Sequence, residues 1–409
     1  MSAPVIVAAA RSAIGTAGRS LAGVTADQLA GPVLAATLDR SGLAPEDVSD
    51  VVLGNCMGPG GDVARSASLA AGLPVTVPAL TVDRQCASGL AAIDVAVSLV
   101  RGGASAVLAG GVESVSTAPW RHWPPVDGAD PVRYERAPFA PAGWDDPEMG
   151  VANDLLAQEA GVTRERQDAY AARSHARAVS ARDAGAFDAE VVAVAGMTRD
   201  DRPKATLTVD KLARLRPAFR DNGSVTAGNS CGISDGAAAV AVVDAATHER
   251  LGVPGLRVLA TATAGVEPNR PGRGLVPATR IALQRSGIGL DDLDAIEINE
   301  AFAGQVLACC DELGVDPLRV CAEGGALALG HPWGASGAVL VVRLFHQLVG
   351  SSLPEVRRRR RREVRRRRRP EVRRRSLEGS LEGRLEGRLG LAAIAAGGGQ
   401  GVAMVVQAC

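Results

Sequence analysis

One cysteine, Cys86, stands where an apolar segment of the chain gives way to a helical pattern. Residues 77–82 have the apolar character of a buried strand, and residues 90–100 repeat apolar side chains at helical spacing. Cys86 is therefore predicted at a strand-to-helix turn, where the free N–H groups and the helix dipole favour a thiolate over a thiol. The three residues after it are small, so a substrate could approach the sulfur. This pattern indicates nucleophilic catalysis, with a buried structural cysteine as the alternative.

A histidine and an asparagine in the second half of the chain could serve such a thiol. His331 lies in a glycine-rich turn, and a nearby imidazole can accept a proton from a thiol. Asn299 follows a predicted strand and precedes a helical pattern. The structural alternatives are a helix N-cap for Asn299 and a capping or core histidine for His331.

The elements that must position these residues alternate between strands and helices. Apolar runs predict strands at residues 5–10, 51–54, 104–111, 236–244, 257–263, 295–298 and 401–407. Helical patterns cover residues 26–41, 63–71, 164–184, 277–287, 302–313 and 336–349. This alternation is typical of an α/β protein with a mostly parallel sheet covered on both faces.

The chain also contains an internal echo. Cys86-Ala-Ser-Gly89 opens one helix and Gly334-Ala-Ser-Gly337 opens another, so a duplicated unit would bring one reactive turn from each half to a shared interface. We predict an N-terminal half, an inserted loop or lid domain, a return strand and helix of the first half, and a C-terminal half. Their bounds are 1–118, 119–232, 233–255 and 256–409.

Composition limits the partners. The chain has 409 residues, is 46% hydrophobic and contains seven cysteines without the C-x-x-C spacing of zinc sites. We expect a cytoplasmic protein with reduced thiols, no signal peptide and no membrane span. Aromatic residues make up only 3%, which gives no stacking platform for nucleic acid.

The basic charge is concentrated in a low-complexity insert at residues 351–390. It holds 16 of the 45 basic and 6 of the 45 acidic residues, so the rest of the chain has a net charge of −10. Arginine runs repeat with a period of eight residues and Leu-Glu-Gly with a period of four. This composition predicts a disordered loop from a repeat expansion or a reading error in the gene, and a basic patch for nucleic acid is the alternative.

Together these motifs give the chain a resemblance to the thiolases. The segments that carry it, in chain order, are Ala10-Arg-Ser-Ala-Ile-Gly15, Arg84-Gln-Cys-Ala-Ser-Gly-Leu90, Gly110-Gly-Val-Glu-Ser114, Val225-Thr-Ala-Gly-Asn229, Asn299-Glu-Ala-Phe-Ala303, Gly324-Gly-Ala-Leu-Ala-Leu-Gly-His-Pro332 and Gly397-Gly-Gly-Gln-Gly401. The resemblance implies two similar α/β halves stacked in five layers, with a loop domain inserted in the first. It also implies cleavage of a 3-ketoacyl-CoA by CoA, or the reverse condensation of two acyl-CoAs.

The resemblance implies the roles of individual residues. Cys86 matches the nucleophile that takes the acyl group, and His331 matches the base that activates it. Asn299 resembles the residue that holds a water which, with His331, forms one oxyanion hole. The N–H groups of Cys86 and Gly397 would form the second hole. Residues implied to contact CoA are Cys231, Met149 and Phe302. CoA thioesters are expected as substrates, without a bound cofactor or metal, in a homodimer or homotetramer.

The chain departs from the thiolase pattern at one position that matters for chemistry. Ala395 stands where the family carries a second cysteine, which moves the proton at the α-carbon. We expect that Cys321 or Cys231 replaces it, that the protein retains only acyl transfer or hydrolysis, or that it is inactive. A second departure is Glu148, where some relatives have a histidine that contacts CoA.

Overall fold

A computed structural model describes residues 3–350 and 387–409. Its strands are β1 (Val5–Ser12), β2 (Gly15–Thr16), β3 (Asp50–Gly54), β4 (Ala79–Val82), β5 (Ala106–Glu113), β6 (Arg121–Trp123), β7 (Val132–Tyr134), β8 (Val191–Val192), β9 (Ser234–Val243), β10 (Leu256–Gly265), β11 (Ala295–Ile298), β12 (Leu389–Ala396) and β13 (Gln400–Ala408). Its α-helices are α1 (Ala26–Ser41), α2 (Val63–Ala70), α3 (Ser88–Arg101), α4 (Met149–Glu159), α5 (Arg164–Asp183), α6 (Val209–Leu212), α7 (Ala245–Leu251), α8 (Leu275–Ser286), α9 (Ala303–Leu313), α10 (Ala326–Leu329) and α11 (Trp333–Phe345). The predicted helices at 26–41, 164–184, 277–287 and 302–313 are thus confirmed to within two residues at each end.

The main sheet shows that the chain is built from two equivalent halves. Its strand order is β4-β3-β5-β9-β1-β10-β13-β12-β11, and β1 joins β10 in the middle. Outward from that junction, the first half contributes β1, β9, β5 and β3, and the second half contributes β10, β13, β12 and β11. Among the strands of this path, each half therefore has the order first, last, last but one and second. Val320 extends the likeness, because it bridges Ile296 in parallel at the place that β4 occupies beside β3. This shared order confirms the duplication.

The expectation of a mostly parallel sheet is wrong. Only the outer pairs β3–β4, β3–β5 and β11–β12 are parallel along this path, whereas the strands at the centre all pair antiparallel. The last strand of each half, β9 or β13, runs against both of its neighbours. Alternating strands and helices at the start of each half gave no sign of this reversal.

Apolar cores on both faces of the sheet produce five layers. The central core contains side chains of α3 and α11 together with inward-facing residues from strands of both halves. Helices α1 and α2 cover the outer face of the first half, and α8 and α9 belong to the core outside the second half. The order is therefore outer helices, half-sheet, central helices, half-sheet, outer helices.

The two central helices touch closely at their first turns because glycine stands at the contacts. A Cβ on Gly89 would lie 2.7 Å from the carbonyl oxygen of Gly334, and one on Gly337 would lie 2.5 Å from the amide nitrogen of Leu90. The Ala-Ser-Gly turns of the two halves are therefore in contact, as the echo in the sequence predicts.

Residues 119–232 hold the hairpin β6–β7 and the helices α4, α5 and α6. One part of this segment joins the sheet, because β8 pairs in parallel with β1. Residues 351–386 lie outside the described part of the chain, and so do the predictions made for the insert there. In the described ranges, no helix is long and apolar enough to cross a membrane.

Candidate active site

The turn that carries Cys86 is held by its own side chains. Ser88 Oγ accepts a hydrogen bond from the Arg84 N–H at 2.7 Å and donates one to the Gln85 carbonyl at 2.6 Å. Gln85 has a φ of 47°, which a residue with a side chain rarely adopts. The turn therefore reverses sharply between β4 and α3, and it leaves Cys86 partly exposed just before the helix.

The resting state of the Cys86 sulfur differs from the sequence-based expectation. The N–H groups of Cys86 and Gly397 both donate to this sulfur, which favours the thiolate. Removal from water has the larger effect, and together with Glu113 and Asp83 it raises the pKa of Cys86 to about 12. For the unliganded protein this pKa favours the thiol, in contrast to the thiolate that the helix terminus alone would favour.

His331 is buried and positioned through both ring nitrogens. Nδ1 lies 2.6 Å from Ser336 Oγ, and Nε2 lies 3.5 Å from Asn299 Nδ2. Because the Asn299 amide nitrogen can only donate, Nε2 accepts, and the proton of the neutral ring is on Nδ1. Burial lowers the pKa of His331 to about 4. At neutral pH the imidazole is therefore uncharged, with a lone pair at Nε2 for a proton.

Asn299 lies in the loop between β11 and α9, not at a helix cap. Helix α9 begins at Ala303, with Phe302 in the cap position, so the N-cap alternative for Asn299 is wrong. One cavity is lined by Cys86, Asn299 and Ala395, and so the turn of the first half and two segments of the second half meet there.

Gly397 begins the turn between β12 and β13. A Cβ at this position would lie 2.6 Å from the ring of Phe139, so only glycine leaves room for that ring. The inserted segment 119–232, which contains Phe139, thus packs on the turn whose Gly397 N–H faces the Cys86 sulfur. Ala395, two residues earlier, lines the same cavity and offers no proton-transferring group.

Two positioning residues escaped the sequence analysis. The Glu113 carboxylate accepts hydrogen bonds from the N–H groups of Met57 at 3.0 Å and of Gly334 at 2.9 Å, so it joins loops of the two halves. Burial raises the pKa of Glu113. Ser336 orients His331, as described above. Both residues belong to motifs already noted, Gly110-Gly-Val-Glu-Ser114 and Gly334-Ala-Ser-Gly337, but no local pattern indicates a partner for either side chain.

The other predicted residues occupy different surroundings. Met149 lines the Cys86 cavity. Cys231 interacts electrostatically with Cys86, which together with burial raises the pKa of Cys231 to about 12. Phe302 packs edge-on against Phe219, with ring centroids 6.2 Å apart, and does not line that cavity. Glu148 is largely exposed at the start of α4.

Cys321 lies away from the Cys86 cavity. Its thiol donates to the Ile298 carbonyl at 3.2 Å, within the core of the second half. Burial raises its pKa well above the usual range. These contacts make Cys321 a structural cysteine.

A second cavity has a cationic wall. It is lined by Arg202 and Lys204, with His175 and Ser230 beside them. The Arg202 guanidinium occupies the space beside Gly232, where a Cβ would lie 1.9 Å from its central carbon. Gly232 in turn accepts the His331 N–H at 3.1 Å, so this cavity approaches the histidine from the side of the loop segment.

Comparisons with known proteins agree with this geometry. The protein-family model of the thiolase N-terminal domain matches residues 4–246, and that of the thiolase C-terminal domain matches residues 254–353. The chain belongs to the thiolase family. An acetyl-CoA acetyltransferase from Pseudomonas aeruginosa is 43% identical over 367 residues, which cover 84% of this chain and 92% of the relative. One from Escherichia coli is 38% identical and covers 98% of both chains.

The crystal structure of the Bacillus anthracis acetyl-CoA acetyltransferase matches this thiolase with a TM-score of 0.84. The match covers 100% of this chain and 99% of that one, at 35% identity. The five-layer fold is therefore shared over the full described length, and the predicted fold class is confirmed.

Proposed function

We propose that this thiolase transfers acyl groups between CoA thioesters through a thioester on Cys86. The observation that carries the proposal is the convergence on one sulfur. Two backbone N–H groups point at Cys86, and Asn299, which contacts Nε2 of His331, lines the same cavity. The names of the relatives, acetyl-CoA acetyltransferases, support the same reaction class.

The first step uses the neutral thiol and the neutral imidazole. As the Cys86 sulfur bonds to the 3-keto carbon of a 3-ketoacyl-CoA, its proton passes to Nε2 of His331. The other ring proton stays on Nδ1, which donates it to Ser336 Oγ, so the ring can become a cation without turning. The negative charge that develops on the former carbonyl oxygen needs donors fixed in advance, and we propose that the N–H groups of Cys86 and Gly397, which face the sulfur, supply them.

The second step breaks the bond between C2 and C3. The electron pair remains on C2, which must then take a proton to give acetyl-CoA. The acyl group on Cys86 then passes to the sulfur of a CoA, whose thiol proton replaces the one given to C2, while His331 returns its proton to the Cys86 sulfur. Asn299 and His331 would stabilise the thioester oxygen of the departing acetyl-CoA, directly or through a water.

Ala395 has no group that could donate the proton that C2 requires. We propose Cys231 as its source, because its N–H donates to the carbonyl of Ala301 at 2.9 Å, and Ala301 lines the Cys86 cavity. Cys321 is a weaker candidate, since its thiol is bound to the Ile298 carbonyl. The alternative function, an acyl transfer or hydrolysis without carbon–carbon chemistry, rests on Ala395 alone, and the names of the relatives do not favour it.

The cationic cavity supports CoA as a ligand of this enzyme. Arg202 Nε is buried and has no hydrogen-bond partner among the described residues, and Lys204 adds a second positive charge. Positive groups of this kind suit the phosphates of CoA. Gly232 lies beside Arg202, follows Cys231 in the chain and accepts the His331 N–H, and we propose that the pantetheine arm passes here.

We extend the proposal to the setting of the enzyme. A homodimer or homotetramer, a role in fatty acid metabolism and a cytoplasmic location follow from the resemblance to thiolases. The seven cysteines are all free thiols in the structure, which suits a reducing compartment. Light scattering of the purified protein tests the assembly, and a monomer would contradict it.

The test is CoA-dependent cleavage of acetoacetyl-CoA, measured side by side on the natural chain, Ala395→Cys, Cys231→Ala and Cys321→Ala. We expect turnover by the natural chain, a loss of about 10²–10⁴-fold in Cys231→Ala and little change in Cys321→Ala. Turnover only after Ala395→Cys would instead favour the acyl-transfer alternative. If no variant forms an acyl-enzyme on Cys86, the proposed function fails.

A further inference from the structure

The glycine turn between β12 and β13 is contacted by a phenylalanine of the inserted segment 119–232. A Cβ on Gly397 would lie 2.6, 2.9 and 3.0 Å from three ring atoms of Phe139. A Cβ on Gly398 would lie 3.2 Å from the Phe139 carbonyl oxygen, so the side chain and the backbone of Phe139 both approach the turn. The contact includes the residue whose N–H faces the Cys86 sulfur.

The other end of the same turn is held by a backbone contact. The Val266 N–H donates to the Gly399 carbonyl at 2.7 Å. Gly398 and Gly399 both have a φ of 76°, which glycine adopts without strain. Because three consecutive glycines have many accessible conformations, their neighbours must select one. The position of the Gly397 N–H therefore depends on what packs against Gly397.

An arginine and an aspartate hold the Phe139 ring. The Arg136 guanidinium carbon lies 4.6 Å from the centroid of that ring, which is within the range of a cation–π contact. Asp146 Oδ1 accepts a hydrogen bond from Arg136 Nη1 at 2.9 Å, and Asp146 Oδ2 accepts one from the Phe139 N–H at 2.9 Å. One carboxylate thus fixes both the cation over the ring and the backbone that carries the ring.

The ion pair in this arrangement persists at neutral pH. Burial alone would raise the pKa of Asp146, but the hydrogen bonds from Arg136 and from the Phe139 N–H outweigh it and lower the pKa below its ordinary value. The side chains of Arg136 and Asp146 are only 25% and 17% exposed. A part-buried pair that shares further hydrogen bonds and an aromatic contact is held more firmly than an isolated surface ion pair.

We propose that Phe139 is a positioning residue for the Gly397 N–H. Arg136 and Asp146 hold its ring against the turn. Phe139 is not among the described residues that line the Cys86 cavity, so it acts through Gly397. Its importance for catalysis rests on the proposed function, in which the same N–H stabilises the negatively charged oxygen.

Alkylation of Cys86 by iodoacetamide tests the positioning without any CoA thioester. In Phe139→Ala the Gly397 N–H is no longer held toward the sulfur, the thiolate loses a donor, and we expect alkylation at about pH 8 to slow by about 3- to 10-fold. Arg136→Gln keeps the ring and should slow it by about 2-fold. A ring that only shields the site would give the opposite result, because its removal would admit water and lower the pKa of Cys86. Faster or unchanged alkylation in Phe139→Ala would overturn the inference.

Two exposed residues of the inserted segment supply matched controls. Trp144→Ala removes an aromatic side chain that is 57% exposed, and Arg133→Gln removes a guanidinium whose carbon lies 4.2 Å from the Trp120 ring centroid. Both variants should alkylate Cys86 at the rate of the natural chain. Equal slowing in the controls would show a general loosening of the segment and contradict the assignment. Phe139→Leu is the milder change if the alanine variant does not fold, and it should slow alkylation less.

Acylation of Cys86 by acetyl-CoA in a single turnover tests the role in the reaction. In Phe139→Ala we expect the maximal rate to fall by about 10-fold, with the half-saturating concentration of acetyl-CoA changed by less than about 2-fold. A change confined to the half-saturating concentration would assign Phe139 to substrate binding and overturn its positioning role. If the natural chain forms no acyl-enzyme, the proposed function fails, whereas alkylation still decides whether Phe139 positions Gly397.

Discussion

The turns that open the two central helices, Cys86-Ala-Ser-Gly89 and Gly334-Ala-Ser-Gly337, are counterparts in a duplicated fold. In the first turn, Ser88 bonds the backbone that carries the cysteine. In the second, Ser336 reaches back to the imidazole of His331. The position of the thiol is taken by Gly334, which is enclosed by the loop after β3. The halves therefore share their packing and differ in chemistry at single positions.

The largest effect should come from removing the thiol. Cys86→Ala removes the thiol that takes the acyl group, and we expect acyl-enzyme formation to fall by more than about 10³-fold. Mass spectrometry after incubation with acetyl-CoA measures the adduct. The thermal unfolding midpoint is the control for folding and should change little. A thioester that still forms on Cys231 would show that the inserted segment 119–232 supplies a nucleophile of its own.

The protonation state of Cys86 is the next test of the difference. With a pKa raised to about 12, the thiolate fraction grows about tenfold for each pH unit, and alkylation by iodoacetamide should rise about 100-fold between about pH 7 and pH 9. His331 stays neutral over this range because its pKa is lowered to about 4. The Cys86 peptide is followed by mass spectrometry, separately from the exposed Cys409. A plateau in this range would mean that Cys86 and His331 rest as an ion pair.

Gly334→Ala tests the packing of the second turn. The new Cβ would lie 2.9 Å from Asn55 Cα and 3.0 Å from a Glu113 carboxylate oxygen. We expect the free energy of unfolding to fall by about 1–3 kcal/mol, measured by urea denaturation. The matched change is Cys86→Ala at the counterpart position, which removes an atom instead of adding one. If Gly334→Ala and Cys86→Ala had the same free energy of unfolding, the space around the two turns would be more alike than these distances indicate.

The sequence could predict local structure better than the partners of each side chain. Helical spacing placed α1, α5 and α8, and the strand-to-helix turn placed Cys86 before α3. The state of its thiol could not be foreseen, because its pKa is raised by burial and by the Glu113 carboxylate, and both depend on the packing of segments that are distant in the chain. The antiparallel centre of the sheet arises from β9 and β13, which return after long intervening segments. Periodicity within a strand carries no information on its direction.

The same limit applies to the rest of the cavity lining. Asn153 and Gln305 lie on helices of different segments, and each looks like an ordinary polar residue of an amphipathic pattern. They come together only because α4 and α9 pack against each other beside Gly272. A site made by long-range packing has no local signature, whereas a site made by one turn does.

The smallest effect should separate the two serines. Ser336→Ala removes the acceptor of the His331 Nδ1 proton, and we expect acylation of Cys86 to slow by about 2- to 10-fold. Protonated His331 loses the same acceptor, so its pKa should fall further below about 4 and the acid limb of acylation should move to lower pH. Ser88→Ala loosens the turn of Cys86 and should leave the acid limb in place. Ser336→Thr restores a hydroxyl and should restore the limb. An acid limb that moves equally in both alanine variants would show that the serines act only on the packing of the central helices.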